Sequence, residues 1–320
     1  MNILRFRTPI IGTITVVFSL LIQATAFAAA PLVKTQAPGY YRMMLGDYEV
    51  TALSDGTAVL PVHELLHESP EKTKKALHKS FLNSPTETSF NSFLINTGEK
   101  LILIDTGAGA LFGPTLGNLA ANLKAAGYQL DQVDEIYITH MHPDHIGGLG
   151  TSTSVFPNAI VRADRRDADY WLSKANMEKA PAKQKDFFKG AISTIGQYAD
   201  AGKLKTFDGN TQLQTGIRAV SNYGHTPGHT TYVVESKGQK LVLLGDLVHV
   251  AAVQFDNPAV TIAFDSDAKA AEARRKAVFA EATKQGYLIG AAHLQFPGLG
   301  HIRAKGKAYE FVPTNYSIPR

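Results

Sequence analysis

The stretch Thr139-His140-Met141-His142-Pro143-Asp144-His145-Ile146-Gly147-Gly148 sets three imidazoles and a carboxylate within six residues. It follows Asp134-Glu135-Ile136-Tyr137-Ile138, whose apolar end predicts a strand. Alternate residues of an extended chain point the same way, so His140 and His142 can grip one cation together. Pro143 then turns the chain, which aims Asp144 and His145 at a second. Imidazole and carboxylate donors without thiolate suit Zn²⁺ best, with Mn, Fe or Co as alternatives. One histidine in an apolar stretch usually just packs; four ligand-type residues in six positions indicate coordination.

Three later stretches carry chemistry of the same kind: Gly224-His225-Thr226-Pro227-Gly228-His229, Leu243-Leu244-Gly245-Asp246 and Gly290-Ala291-Ala292-His293. Upstream lies Leu101-Ile102-Leu103-Ile104-Asp105-Thr106-Gly107. With H-x-H-x-D-H these motifs, in this order, resemble the signature of the metallo-β-lactamase superfamily from about Gly39 to the C-terminus. The resemblance implies an α/β fold, an αββα sandwich of two mixed β-sheets flanked by helices, with the metals at one edge between the sheets. It assigns His140, His142 and His225 to one metal, Asp144, His145 and His293 to the other, and Asp246 to both. Asp105 would orient the site without binding metal, and His229 would hydrogen-bond loop backbone beside it.

Two divalent ions sharing one hydroxide give a nucleophile near neutral pH, because each lowers the pKa of bound water. Such a nucleophile attacks carbonyl or phosphoryl centres, one metal takes up the developing oxyanion, and Asp144 can pass a proton to the leaving group. The sequence holds no G-x-S-x-G serine motif.

Asp246 separates the chain from true β-lactamases, which generally lack the bridging carboxylate, and His142 from the flavodiiron branch, which has Glu there. Glyoxalase II-type thioesterases share all seven ligands but end in a helical domain; this chain ends in a predicted hairpin. The export signal argues against tRNA processing. A closer resemblance is to the branch of methyl-parathion hydrolase and related periplasmic lactonases. It rests on Tyr41-Arg42-Met43-Met44-Leu45-Gly46-Asp47, on Ala292-His293-Leu294-Gln295-Phe296-Pro297-Gly298 and on the Tyr309 to Tyr316 segment.

That branch implies an aromatic leaving-group pocket on Phe112, Trp171 and Phe188, suited to flat, neutral esters. His249 stands where acyl-homoserine lactonases often have tyrosine. With Ile262 and Phe264 it would narrow the pocket in favour of a planar lactone, to which its imidazole can hydrogen-bond. No arginine cluster offers to bind an anionic phosphate. The expected function is hydrolysis of lactones and aryl esters, with organophosphate triesters as a second substrate class. The alternatives are a primary organophosphorus triester hydrolase and a glyoxalase II-like thioesterase. A non-catalytic metal-binding module sits poorly with an intact set of seven ligands. The branch also implies a homodimer.

The elements that must position these residues alternate in type, as a mixed α/β domain requires. Predicted strands are Tyr40 to Leu45 and Tyr48 to Leu53, with Ser54-Asp55-Gly56 as the next turn, then Ser89 to Asn96 and Leu101 to Asp105. A helix over Leu116 to Ala126 precedes the strand into His140. Ala159 to Arg162 is a strand; Asp164 to Asn176 and Lys183 to Asp200 are helices. The strands Ile217 to Asn222, Thr231 to Glu235, Leu241 to Leu244 and Tyr287 to Ala292 each deliver a motif at one end. Asp265 to Gln285 is an amphipathic helix with Ser266 or Asp267 as cap, and a hairpin around Lys305-Gly306 closes the chain. His63, His67 and His78 match no motif and read as structural or solvated.

Hydrophobic and charged contents of 44% and 19% are ordinary for a soluble enzyme, and no linker-like run divides the chain. A single domain over residues 29–320 is therefore expected, after a signal peptide over 1–28. Arg5 and Arg7 form its positive end, Pro9 to Ile22 its apolar stretch, and Ala26-Phe27-Ala28 its cleavage site. An apolar run of 14 residues falls short of the roughly 18 that span a bilayer, so no stable membrane anchor and a periplasmic or secreted location are expected. With no cysteine there is no lipid attachment and no disulfide. Cleavage removes two positive charges from a formal +4, leaving too little for nucleic-acid binding.

Overall fold

The computed structural model describes residues 30–318. The expected signal peptide and cleavage site lie outside the described residues. Residues Ala37–Arg320 form one compact unit.

In chain order the elements begin with strands β1 (Tyr40–Leu45) and β2 (Tyr48–Leu60), followed by helices α1 (Val62–Leu65) and α2 (Pro70–Lys79). Strands β3 (Thr86–Asn96) and β4 (Leu101–Ile104), helix α3 (Leu119–Ala125), strand β5 (Glu135–Tyr137) and the single turn α4 (Pro143–Ile146) come next. Strand β6 (Ile160–Asp164) leads to helices α5 (Arg165–Trp171), α6 (Lys174–Lys179) and α7 (Ala182–Asp200), then to β7 (Leu204–Phe207). The second half holds β8 (Thr211–Gln214), β9 (Ile217–Ser221), β10 (Thr230–Ser236), β11 (Gln239–Leu243) and α8 (Ala251–Gln254). It closes with α9 (Ala268–Gln285), β12 (Leu288–Gly290), β13 (Leu299–Lys305) and β14 (Ala308–Pro313).

Two seven-stranded sheets result, in the orders β1 to β7 and β14 to β8. Strands β4 to β7 pair in parallel, as do β11 and β12; the other pairs are antiparallel. Both sheets are therefore mixed, as expected.

The period of two explains the layering. Ile102 and Ile104 of β4 face the second sheet, among Tyr137, Tyr232, Leu241 and Leu243. Leu101 and Leu103 face the other way, onto Leu119 and Leu123 of α3 and Phe188, Ala191 and Ile195 of α7. In the second sheet Val233, Val242 and Ile289 turn outward onto Val278, Phe279 and Ala282 of α9. A strand buried on both faces reads as unbroken aliphatic sequence, which is why Leu-Ile-Leu-Ile was legible. Helix α9 starts on Asp267, whose carboxylate accepts from the Ala270 amide at 3.0 Å, and stops at Gly286 with φ +70°.

Three expectations need correction. Ser54-Asp55-Gly56 is not a turn: β2 runs through it to Leu60, with a bulge between Ser54 and Gly56. The bulge frees Asp55, which is fully buried, to accept from the amides of Ala108, Gly117 and Leu119. The helix expected over Asp164 to Asn176 is two helices broken at Leu172–Ser173, with Ser173 capping the second. Strands β7 and β8 were not anticipated; both are short and only partly buried. Among the described residues no helix is long and apolar enough to cross a membrane.

Candidate metal centre and its pocket

Every motif residue leaves the end of a strand on one edge of the sandwich. β4 runs into Asp105, β5 into His140, the β9–β10 turn carries His225, β11 runs into Asp246 and β12 into His293. The turn after β11 depends on Gly245, at φ +53°: a Cβ there would sit 2.8 Å from His229 Nε2 and 3.0 Å from the Thr139 side chain. Gly148 is equally constrained, because a Cβ would fall 1.9 Å from the Thr106 carbonyl. The turn after His145 thus lies flush on the loop after Asp105, and Thr106 donates to the His145 carbonyl through its amide and hydroxyl.

The seven residues converge as two groups sharing Asp246: His140, His142, His225 and Asp246, and Asp144, His145, Asp246 and His293. Within each group the potential ligand atoms lie within 4.8 Å of one another. His225 Nε2 is 3.3 Å from Asp246 Oδ2 and 3.1 Å from His142 Nδ1. His145 Nε2 is 3.2 Å from Asp246 Oδ1, and His293 Nε2 is 3.1 Å from Asp246 Oδ2 and 3.5 Å from Asp144 Oδ2. The buried atoms His140 Nε2, His145 Nε2 and Asp246 Oδ1 have no hydrogen-bond partner in the protein. Inward-facing nitrogen and oxygen atoms left unpaired in a buried nest are costly unless a cation completes them. The donor set fits two divalent ions.

Imidazoles and carboxylates packed this closely shift one another in opposite directions. Burial pushes His140 and His142 well below the usual imidazole range and so keeps them neutral, as ligands must be. Burial works against the charge of Asp144, yet His145 and His293 beside it hold its carboxyl down at about 2. Burial opposes charging of His145 too, but the carboxylates of Asp246, Asp144 and Asp105 outweigh it and raise its pKa well above normal.

The far nitrogens of the ligands are held as well. Asp105 Oδ2 lies 2.8 Å from His145 Nδ1 and accepts from the Thr139 hydroxyl, while its Oδ1 accepts from the Thr139 amide. His293 Nδ1 faces the Ser89 carbonyl at 3.1 Å. Burial pushes His229 down to about 3, so it is neutral. Its Nδ1–H donates to the Asn222 carbonyl and its Nε2 accepts from the Asp246 amide at 3.0 Å. His229 therefore positions the shared carboxylate through backbone.

Two further buried carboxylates escaped sequence reading. Asp265 Oδ1 lies 2.8 Å from His225 Nδ1, and its Oδ2 accepts from the Ile262 amide. Asp167 accepts from the amides of Met141, at 2.8 Å, and Gly228, at 2.6 Å, tying the His140–His142 loop to the His225 loop. Burial lifts the Asp167 carboxyl to about 6. Neither has a motif around it: Asp265 reads as the start of a helix and Asp167 as one acid among several on another.

A narrow pocket opens onto His142, Asp144, Asp246 and His293. Phe112, His249, Ile262 and Phe264 are among its lining residues. Trp171 and Phe188 are not. Both are buried in the core behind the site, 4.6 Å apart by ring centroid, and Trp171 meets His142 edge-on at 5.3 Å. Phe187 lines the pocket instead. One residue along a helix rotates the side chain by about 100°, so Phe187 and Phe188 cannot share a face. Phe90, missed in the sequence, lies against both Phe112 and His293. His249 faces the site: its Nε2 is 3.1 Å from Asp246 Oδ2 and its ring stacks on His293 at 5.2 Å. His63 and His67 brace loops through Ser84 and Thr261, and the exposed His301 faces the Gly286 carbonyl.

The family model described as the metallo-beta-lactamase superfamily matches residues 86–293, which span all five motifs. The chain belongs to that superfamily. Among solved structures, this metallo-beta-lactamase chain is similar to the hydrolase AbOPH of the beta-lactamase superfamily. The two are 37% identical with a TM-score of 0.85, over 89% of this chain and all of that one. It is also similar to AidC, a dizinc quorum-quenching lactonase in complex with a product, N-hexanoyl-L-homoserine. Here the identity is 28% and the TM-score 0.78, over 88% and 99% of the two chains. An N-acyl homoserine lactonase of Bacillus cereus is 25% identical over 194 residues, which is 55% of this chain and 70% of the relative. The αββα architecture, the double ligand cluster and these likenesses together define a metal-dependent hydrolase with room for two divalent ions.

Proposed function

We propose that this metallo-beta-lactamase enzyme hydrolyses lactones and neutral aryl esters, with organophosphate triesters as a second substrate class, and that its ions are zinc. The pocket lining carries the reading. Leu60, Val62, Phe90, Phe112, Phe187, Val250, Ile262 and Phe264 surround the cluster, and no lysine or arginine is among the lining residues. A neutral apolar ester can bury its substituents there, whereas a phosphate monoester would meet no cation except the metals. The likeness to AidC and to the Bacillus cereus lactonase supports lactones over thioesters.

When bound, two divalent ions would lower the pKa of water and polarise an ester oxygen. The chain's own residues do the rest. His140, His142 and His225 would hold one ion, Asp144, His145 and His293 the other, and Asp246 both. The aromatic walls exclude water and press a flat ester toward the cluster. His249, with its Nε2 3.1 Å from Asp246 Oδ2, would hydrogen-bond the ester oxygen. Asp144 lines the pocket and would carry a proton to the leaving group. The leader is proposed to direct the enzyme to the periplasm or beyond.

A substrate panel on zinc-loaded protein tests the reading: six-membered aryl lactones, acyl-homoserine lactones, phenyl acetate, a dimethyl aryl phosphate and a glutathione thioester. Lactones and aryl esters should have the highest kcat/KM, with the phosphotriester lower and the thioester lowest. A thioester in first place would overturn it.

A further inference from the structure

One side of the pocket wall is irregular chain. Residues Leu247 to Phe264 contain one helical turn, α8, and supply His249, Val250, Ile262 and Phe264 to the lining. The segment is a hairpin-like excursion with two limbs, Leu247–Val250 and Pro258–Ile262. Backbone ladder bonds do not join these limbs; two buried polar side chains do.

Gln254 is fully buried. Its Oε1 accepts from the amides of His249, at 2.7 Å, and Val250, at 3.0 Å, and its Nε2 donates to the Val260 carbonyl at 3.0 Å. One carboxamide thus holds the first limb with its oxygen and the second with its nitrogen. Arg275 of α9, 1% exposed, clasps the same two limbs: Nη1 donates to the Leu247 carbonyl at 3.1 Å and Nε to the Pro258 carbonyl at 3.0 Å. Among the described residues no carboxylate lies within ion-pair distance of it. Burying a guanidinium without an acid is costly, and an apolar side chain of similar length would pack there more cheaply. What an apolar side chain cannot do is donate to two carbonyls at once. The second limb is moored further by the His67 amide to the Thr261 carbonyl, at 2.9 Å, and the Ala263 amide to the Leu65 carbonyl, at 2.8 Å.

We propose that Gln254 and Arg275 are specificity-determining positioning residues: without touching substrate they fix the spacing of the two limbs, and hence the width of the slot over the metal centre. The proposal rests on the ester-hydrolase reading above. Gln254 holds the backbone of His249 itself, so its loss releases the imidazole that lies 3.1 Å from Asp246. A released wall admits a tetrahedral ester with three substituents more easily than a clamped one, and it positions a planar lactone less well.

The experiment uses full-length mature enzyme loaded with zinc, in the variants Gln254→Met, Gln254→Glu, Arg275→Met and Arg275→Lys. Amide hydrogen exchange over residues 247–262, metal content, and kcat/KM on dihydrocoumarin and on a dimethyl aryl phosphate are measured. Gln254→Met should speed exchange at the His249 and Val250 amides by about tenfold or more. It should also raise the phosphotriester-to-lactone ratio by roughly 10-fold, the scale of one pocket contact, with metal content unchanged. Gln254→Glu keeps the oxygen that His249 and Val250 donate to but loses the donor to the Val260 carbonyl, so it should leave exchange at the His249 amide nearer the wild type while still raising the ratio. If Gln254→Met does not fold, Arg275→Lys, which keeps the charge but reaches only one carbonyl, makes the same comparison. Unchanged exchange and ratio in a folded clamp variant would overturn the proposal. So would a parallel fall of both activities with loss of metal. Should the wild type hydrolyse neither ester, the ester reading fails, while the exchange measurement still decides whether the clamp exists.

Discussion

The floor and the wall of the pocket are built by opposite means. On the floor the ligands lie just beyond strand ends, and Asp105, Asp265 and the Ser89 carbonyl fix the second nitrogens of His145, His225 and His293. The wall is an assembly of apolar side chains from β2, β3, the loops after β4 and Asp246, and α7, with His249 as its chief polar member. Directional bonds hold the floor's ligating side chains themselves; on the wall they hold only backbone, through Gln254 and Arg275, and the lining side chains meet by contact. Chemistry and selectivity are therefore separable, and each can be altered with the other nearly intact.

The sharpest way to break that separation is Asp246→Ala, which should empty both metal positions. Metal analysis should fall from two ions per chain to below one, and kcat/KM by at least about 10³-fold, since several kcal/mol of charge stabilisation are lost. His293→Ala should stop near one ion. Two ions retained in Asp246→Ala would refute a shared ligand.

On the wall, His249→Leu should leave metal content unchanged and shift selectivity. It removes a hydrogen-bonding group from a lactone and opens volume for a phosphotriester. The ratio of phosphotriesterase to lactonase kcat/KM should rise by about 10- to 200-fold, or 1–3 kcal/mol. An unchanged ratio with loss of stability would reduce His249 to a packing residue.

Behind the floor, Asp265→Ala should weaken metal retention by about 10- to 100-fold, as loss of a group that orients a ligand typically does. Competition with a chelator reads this directly. A selectivity change without weaker retention would contradict the division of labour.

The smallest effect belongs to Glu135, remote from both regions. Burial alone would raise its pKa, but hydrogen bonds from Arg162 and Lys100 prevail and hold it below its ordinary 4.5. A carboxylate depressed in the folded state adds stability that is present above pH 4.5 and lost as pH falls through the folded value. Glu135→Gln should lower stability by about 1 kcal/mol or less at neutral pH. It should also flatten the acid side of a denaturant-midpoint profile, with metal content and selectivity unmoved.

The floor was legible because its residue types are chemically distinctive and sit at the ends of recognisable strands. Three imidazoles and an acid in six positions rarely serve any purpose but coordination, and double-sided burial makes strands such as β4 unmistakable. Asp167 and Asp265 were not legible, because a carboxylate that accepts backbone amides looks like any helix-start acid until the loops it joins are folded. The wall was half legible. Phe112, Ile262 and Phe264 line the pocket, but the choice between Phe187 and Phe188 depends on the rotation of α7 about its axis. Asp55 misled because an Asp-Gly pair signals a turn, while here it serves a bulge whose buried carboxylate collects three amides.

The ligands divide by half of the chain. His140, His142, Asp144 and His145 come from the first sheet, and His225, Asp246 and His293 from the second. Neither half can complete either ion's shell alone, so a bound pair of ions acts as a rivet through the seam between the sheets. Mass action puts the grip of such a rivet at about 4 kcal/mol for each ion supplied at a thousandfold excess over its dissociation constant. The lifetime of the enzyme would then follow the metal supply of its surroundings: a chelating medium, by loosening the seam, would hand the chain to proteases before any residue of the pocket had changed.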